Sequence, residues 1–468
     1  MGAGPMSPHH TEPGHTAPPP APVRHPALSE LRRGLPPWAG LAVFLTLAVA
    51  LGQKAERWQG SWGETQSLLH SAASLLCVPL ALAAGCLQGG RERRRRTDEL
   101  RAATPRGPLA QFLTTCLPLV AWIAAGYTVA HGAALLATLP YASAGHPLPG
   151  PVVEDLVALA AATAVGQVAG RVVTWRLAAP VLAALAYAVQ IAPAYGSGEG
   201  GARFLSPASS LLADTVTPVW WQPLVLALWT GGLGTAAVLA HAARRRATAL
   251  LPLAAALTAA TVVVQSGEGM WRPDPLANRQ VCDTTVRPHI CVNALYPGVL
   301  PQATEALSGV TTRLDGVGNL PARFEDLPRE PGPDEAQLPT FTPIGWSLVR
   351  GRLTDPARYA WEGAAALTAR HCLAPDRPSG AELRVMRTDT AVTDWLAPSP
   401  LGIRIEEDAL RWGAERGDRE AVAAVRAERA ARARLDAMPD EERRAWLTRY
   451  FATAGECSPR SLKEVPVL

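Results

Sequence analysis

Arg91-Glu92-Arg93-Arg94-Arg95-Arg96-Thr97-Asp98-Glu99-Leu100 separates two apolar runs, 68–88 and 109–131, each long enough to cross a bilayer. A helix needs about 20 mostly apolar residues to cross a hydrocarbon core roughly 30 Å thick. Working outward from the arginines, seven stretches approach that length: 36–53, 68–88, 109–131, 151–170, 177–195, 219–241 and 247–266. Lipid offers no partner to an unpaired peptide group, so each stretch is predicted to be helical.

Basic residues are retained on the cytoplasmic side of short loops. With the N-terminus inside, the inner segments carry Arg24, Arg32, Arg33, Arg91, Arg93, Arg94, Arg95, Arg96, Arg101, Arg106, Arg171, Arg176, Arg244, Arg245 and Arg246. The outer loops before the last span carry only Lys54, Arg57 and Arg203. Fifteen against three predicts an N-terminus inside and roughly 200 residues, from Gly267 onward, outside. Trp38 and Trp175 then fall at the inner boundary and Trp220, Trp221 and Trp271 at the outer one, where amphipathic rings prefer to sit.

The expected architecture is therefore an all-α polytopic membrane domain of about seven transmembrane helices, 34–266, followed by a mainly helical α+β extracytoplasmic domain, 267–468. Residues 1–33, rich in Pro, Gly and His, have no apolar stripe and are expected to be a disordered cytoplasmic tail. The net charge of +4 is accounted for by the inner loops, so the expected partner is the lipid bilayer and not nucleic acid. In the outer domain, Asp355-Pro356 reads as a helix start, with an N-cap followed by Pro in the first turn. Segments from Gly380, Asp408, Asp418 and Pro439 read as helical too, and Ile344–Val349 as a strand.

Cysteine usage divides with the expected topology. Cys77, Cys86 and Cys116 lie in spans, where a thiol behaves as a small apolar residue. Cys282, Cys291, Cys372 and Cys457 lie in the outer domain, an even number in an oxidising place. Three pairings are possible, of which Cys282–Cys291 with Cys372–Cys457 is favoured; a zinc site from Cys282, His289, Cys291 and Cys372 is the alternative.

Enzymatic classes find no support. No Gly-Lys-[Ser/Thr] phosphate loop, His-Glu-x-x-His or Gly-x-Ser-x-Gly is present, and no cofactor is implied. Within the spans, Gly166 and Gly170 form a Gly-x-x-x-Gly face suited to close helix packing. His131, Gln167 and Gln190 are polar groups at membrane depth, readable as a substrate path or as interhelical bonds. Glu154 and Asp155 are expected at the membrane interface.

The loop RERRRRTDELRAATPRG, residues 91–107, resembles the cytoplasmic element after the second span of type-two ATP-binding-cassette (ABC) exporter permeases. The matching residues are Arg91, Glu92, Thr97, Asp98, Glu99, Leu100, Thr104, Pro105 and Arg106. In that family the segment is a coupling helix that docks on the ATPase subunit. The resemblance implies a separate ATP-binding partner contacted through Arg95, Asp98, Glu99 and Leu100, in a homo- or hetero-dimeric assembly. Arg95, Asp98 and Glu99 are spaced for i,i+3 and i,i+4 pairing on such a helix. Six N-inside spans also fit that plan, and the seventh departs from it. Cys282, Cys291-Val292, Tyr296-Pro297, Leu320-Pro321 and the tail Trp446–Pro466 resemble the C-terminal domain of uncharacterised actinobacterial permease-like proteins. The expected function is thus a permease or permease-like subunit of an ABC exporter. The alternative is a membrane-anchored extracytoplasmic binding or sensing protein without transport activity.

Overall fold

A computed structural model describes residues 34–53, 55–94, 107–195, 200–339, 341, 348–370, 379–454 and 461–468. Its first half is a bundle of apolar helices: α1 (Leu35–Gly52), α2 (Trp62–Gly89), α3 (Pro108–Thr138), α4 (Pro149–Val172), α5 (Ala178–Tyr195), α6 (Gln222–Ala242) and α7 (Leu250–Ser266). Six of these, all but α5, are long and apolar enough to cross a membrane, α7 doing so with the single turns at its ends over Arg246–Met270. This is a multi-pass membrane protein. The sequence reading counted 177–195 as a full crossing; the described apolar part of α5, Ala178–Pro193, rises only about 24 Å and is shorter than the others. The loop from Val173 to Leu177 sets its start.

The bundle is built on close backbone approach. Gly85 and Gly89 of α2 face the carbonyls of Thr163 and Gln167 on α4, and Gly166 and Gly170 face those of Leu82 and Cys86 in return. A Cβ at any of the four would overlap a carbonyl oxygen, so α2 and α4 meet backbone to backbone at these positions. Gly40 and Gly126 bring α1 and α3 together in the same way. In lipid there is no hydrophobic gain between helices, and such contact supplies the packing energy instead.

α2 contains one irregular stretch. Ala73–Cys77 is π-helical, and the Val78 N–H bonds the Ala73 carbonyl, one residue further back than in an α-helix. Pro79 has no N–H to offer in turn. The Ser74 carbonyl is thereby released from its own helix, and Gln190 Nε2 of α5 takes it at 2.6 Å.

Two ends of the bundle differ. One carries Gly34, Arg91–Arg94, Arg171 and Arg244–Arg246, with Trp38 and Trp175 exposed beside them. The other is made by the segments between α1 and α2, α3 and α4, and α5 and α6, and it receives the C-terminal region. There β1 (Val216–Pro218) pairs antiparallel with β2 (Trp271–Pro273). Trp220 is exposed as expected, whereas Trp221 and Trp271 pack with Phe204, Leu226 and Met270.

The C-terminal region has its own core. A four-stranded sheet of order β3-β4-β5-β6 comprises β3 (Gln280–Asp283), β4 (His289–Asn293), β5 (Arg323–Glu325) and β6 (Glu335–Gln337). The β3–β4 pair is antiparallel, and the other two pairs are parallel. Helices α8 (Leu300–Arg313), α9 (Pro356–Thr368), α10 (Gly380–Leu396), α11 (Pro400–Arg416), α12 (Arg419–Ala437) and α13 (Asp440–Phe451) complete it. One continuous core joins Ile290, Leu307, Phe324, Leu367, Val392, Leu435 and Tyr450. Asp355 and Asp418 cap α9 and α12 as the sequence predicts, and Ser379 with Glu382 forms a capping box on α10. Asp408 does not start a helix: Ser399 caps α11 from nine residues earlier, with Pro400 in its first turn. Of the run 344–349, Leu348–Val349 forms a short strand, β7, paired with β8 (Arg352–Leu353).

Candidate functional site

Half-way through an apolar bundle, an ionisable side chain is costly unless it is paired, and such residues mark function. Four helices contribute to one such centre near the end that carries the C-terminal region. His70 of α2 places Nδ1 2.7 Å from Asp155 Oδ1 of α4. Its Nε2 lies 2.8 Å from the Pro207 carbonyl oxygen. Tyr127 of α3 donates its hydroxyl to Asp155 Oδ2 at 2.7 Å. All three side chains are at most 4% exposed.

Around this triad sit further polar groups. Glu154 is 2% exposed, within electrostatic reach of His70, and its Oε1 has no hydrogen-bond partner among the described residues. His131, one turn along α3, lays its ring 5.7 Å from that of Tyr127, with neither nitrogen bonded among the described residues. Gln190 holds the freed Ser74 carbonyl and receives the Ser206 hydroxyl on its own backbone oxygen, while its Oε1 has no partner. The expectation that Glu154 and Asp155 lie at the interface is therefore corrected. The α4 face that carries them turns inward against α2 and α3, where Asp155 gains two hydrogen-bond partners. Gln167, by contrast, is a packing group that donates to Thr115 Oγ1 at 2.8 Å and to the Phe112 carbonyl.

Above the centre, a cavity of about 320 Å³ opens between the bundle and the C-terminal region. Its wall includes Gln66, which lies one helical turn from His70 and is closed onto Leu148 by bonds of 2.7 Å to both N–H and carbonyl. Asp214 binds the two regions together at this cavity. It accepts from the Ser61 hydroxyl and from the Gly63 N–H at 2.9 Å, both at the start of α2, and from the Tyr296 hydroxyl at 2.7 Å. Burial, reinforced by the Asp214 charge, pushes the Tyr296 phenol well above its usual range, so it remains a donor.

At the opposite end, Arg93 donates to the carbonyls of Gly170 at 2.7 Å and Val173 at 2.8 Å. It thereby caps the C-terminus of α4, where a cation is favoured. Arg95, Asp98, Glu99 and Leu100 lie outside the described residues, as do Cys372 and Cys457. Cys282 and Cys291 are disulfide-bonded across directly paired positions of β3 and β4, which removes their thiolates from any zinc site.

Sequence reasoning singled out His131, Gln190, Glu154 and Asp155 but not His70 or Tyr127, the residues that join them. A lone histidine at the edge of an apolar run was the available signal. No protein-family model, curated protein or solved structure matches the chain.

Proposed function

We propose that the chain is a permease or permease-like subunit of an ATP-driven exporter, without catalytic activity of its own. The N-terminus is cytoplasmic, α1–α7 all cross the bilayer, and the C-terminal region is extracytoplasmic. In this reading a separate ATPase docks on the loop at 91–106.

The observation that carries it is the path from that loop to the polar centre. Arg93 fastens the loop's first turn to the end of α4. The glycine contacts lock α2 to α4. Those two helices hold His70 and Asp155 against each other at the far end of the bundle. A displacement delivered to the loop therefore moves the two halves of the centre together with the helices that carry them. Seven crossings also account for the arginine-rich end and the C-terminal region lying on opposite sides.

Replacing Asp98, Glu99 and Leu100 together by Ala removes the acidic and apolar contacts of a docking helix while keeping the arginines that orient the chain. The expected result is normal insertion with loss of ATPase co-purification. Buried contacts of this kind cost about 2 kcal/mol or more each, well over tenfold in affinity. An ATPase that binds the triple variant as tightly as wild type would sink the reading and favour an anchored sensing protein.

A further inference from the structure

The hydrogen bonds of His70 fix a proton count. Its two ring nitrogens face a carboxyl oxygen of Asp155 and the backbone carbonyl of Pro207. A carbonyl only accepts, so Nε2 must carry a hydrogen. The Nδ1–Oδ1 contact of 2.7 Å also needs a hydrogen between its atoms. The neutral imidazole has only one, already placed on Nε2. The second belongs either to Nδ1, making an imidazolium beside a carboxylate, or to Oδ1, making an acid beside a neutral ring. Tyr127 cannot supply it, because its hydroxyl hydrogen is committed to Oδ2. Both placements hold the same number of protons and leave the pair with no net charge.

We propose that His70 and Asp155 together form a proton-binding site inside the bundle, holding one proton beyond those of a neutral histidine and an ionised aspartate. The geometry of the pair carries this, independently of any ATPase. The groups facing the pair are Gln66 and Cys77 on its own helix, Tyr127 and His131 from α3, Glu154 from α4, Gln190 from α5 and the Pro207 carbonyl. Among the described residues no lysine or arginine stands there to neutralise Asp155 in place of the proton, and His131 makes no hydrogen bond to it. Glu154 is buried beside the pair, with one oxygen unpartnered among the described residues.

The test uses the full chain in lipid nanodiscs at neutral pH. Nitrogen-15 spectra of labelled histidine report whether both ring nitrogens are protonated, and the His70 signal is assigned by its loss in His70→Gln. Infrared spectra report a protonated carboxyl through its C=O stretching band, assigned by its loss in Asp155→Asn. The expected result is one of the two: an imidazolium at His70, or an acid band at Asp155 beside a neutral ring. Asp155→Asn should turn an imidazolium at His70 into a neutral ring in the first case, and remove the acid band while leaving the ring neutral in the second. Tyr127→Phe, which removes one bond and no proton from the pair, should leave the count unaltered and serves as the reference if Asp155→Asn does not insert. A neutral His70 beside an ionised Asp155 in the wild-type protein overturns the proposal.

Discussion

Each half of the molecule buries an aspartate between a tyrosine and a basic side chain, and the bases differ. In the bundle, Asp155 lies between Tyr127 and His70. In the C-terminal region, Asp389 accepts from the Tyr450 hydroxyl at 2.6 Å and from Arg370 Nε at 3.1 Å. Burial raises the Asp389 carboxyl above its usual range, while the Arg370 charge and its bonds oppose the shift. A guanidinium is always charged, so that triad is a fixed brace. An imidazole is neutral or charged near neutral pH according to its surroundings, so the protonation of the triad in the bundle is set by its partners. The surrounding packing differs in the same sense. The C-terminal core is aliphatic and aromatic, with a covalent link across β3 and β4, whereas the bundle turns Leu136, Val189 and Leu251 outward and packs through glycine.

The largest expected effect tests the brace. Arg370→Met strands the Asp389 charge, and removing one partner of a buried pair costs about 3–5 kcal/mol. Denaturant unfolding of the C-terminal region in the full-length protein reads this directly. A loss below about 1 kcal/mol would mean that Asp389 takes up a proton and that the two triads are alike. Cys282→Ser comes next. Opening a loop of 9 residues costs about 2.5 kcal/mol in the chain-entropy model. The midpoint should fall for the C-terminal region and stay unchanged for the bundle.

The bundle is tested by Gly170→Val, whose side chain runs into the Cys86 carbonyl. Overpacking of this kind costs about 1–3 kcal/mol. The control is Gly132→Val, which meets nothing within 4 Å. Equal resistance of the two variants to unfolding by added SDS would remove the glycine contact between α2 and α4 from the account.

The effect that is smallest per step is one of pH. Burial raises Asp326 from 3.8 to about 6, against the bond from the Asn293 N–H. Between those values the folded chain holds a proton that the unfolded chain has lost. Stability of the C-terminal region should therefore decrease as pH rises through that window, by at most about 1.4 kcal/mol per unit. Asp326→Asn should flatten the slope and gain about 1–2 kcal/mol at neutral pH once the weaker hydrogen bond is allowed for. A slope that persists in the variant assigns it to another group.

Sequence by itself determined the elements whose cause is local. Apolar run length marks the helices, because each crossing must satisfy its own backbone within one segment. The Gly-x-x-x-Gly face at Gly166 and Gly170 is legible because small residues matter only where backbones meet. Asp355-Pro356 and Asp418 are legible as caps because the bond they make is to a residue three positions away. Cys282–Cys291 was favoured, but only the pairing of β3 with β4 decided it. Tertiary structure alone decided the centre. His70, Tyr127 and Asp155 are 57 and 28 residues apart in sequence, and nothing in any one helix says which face its neighbour will cover. The inward turn of α4, the bond from Gln190 to the Ser74 carbonyl and the approach of Pro207 each depend on how separate helices meet. A hydrogen-bond partner across a bundle is a property of packing, which a pattern along one chain segment does not contain.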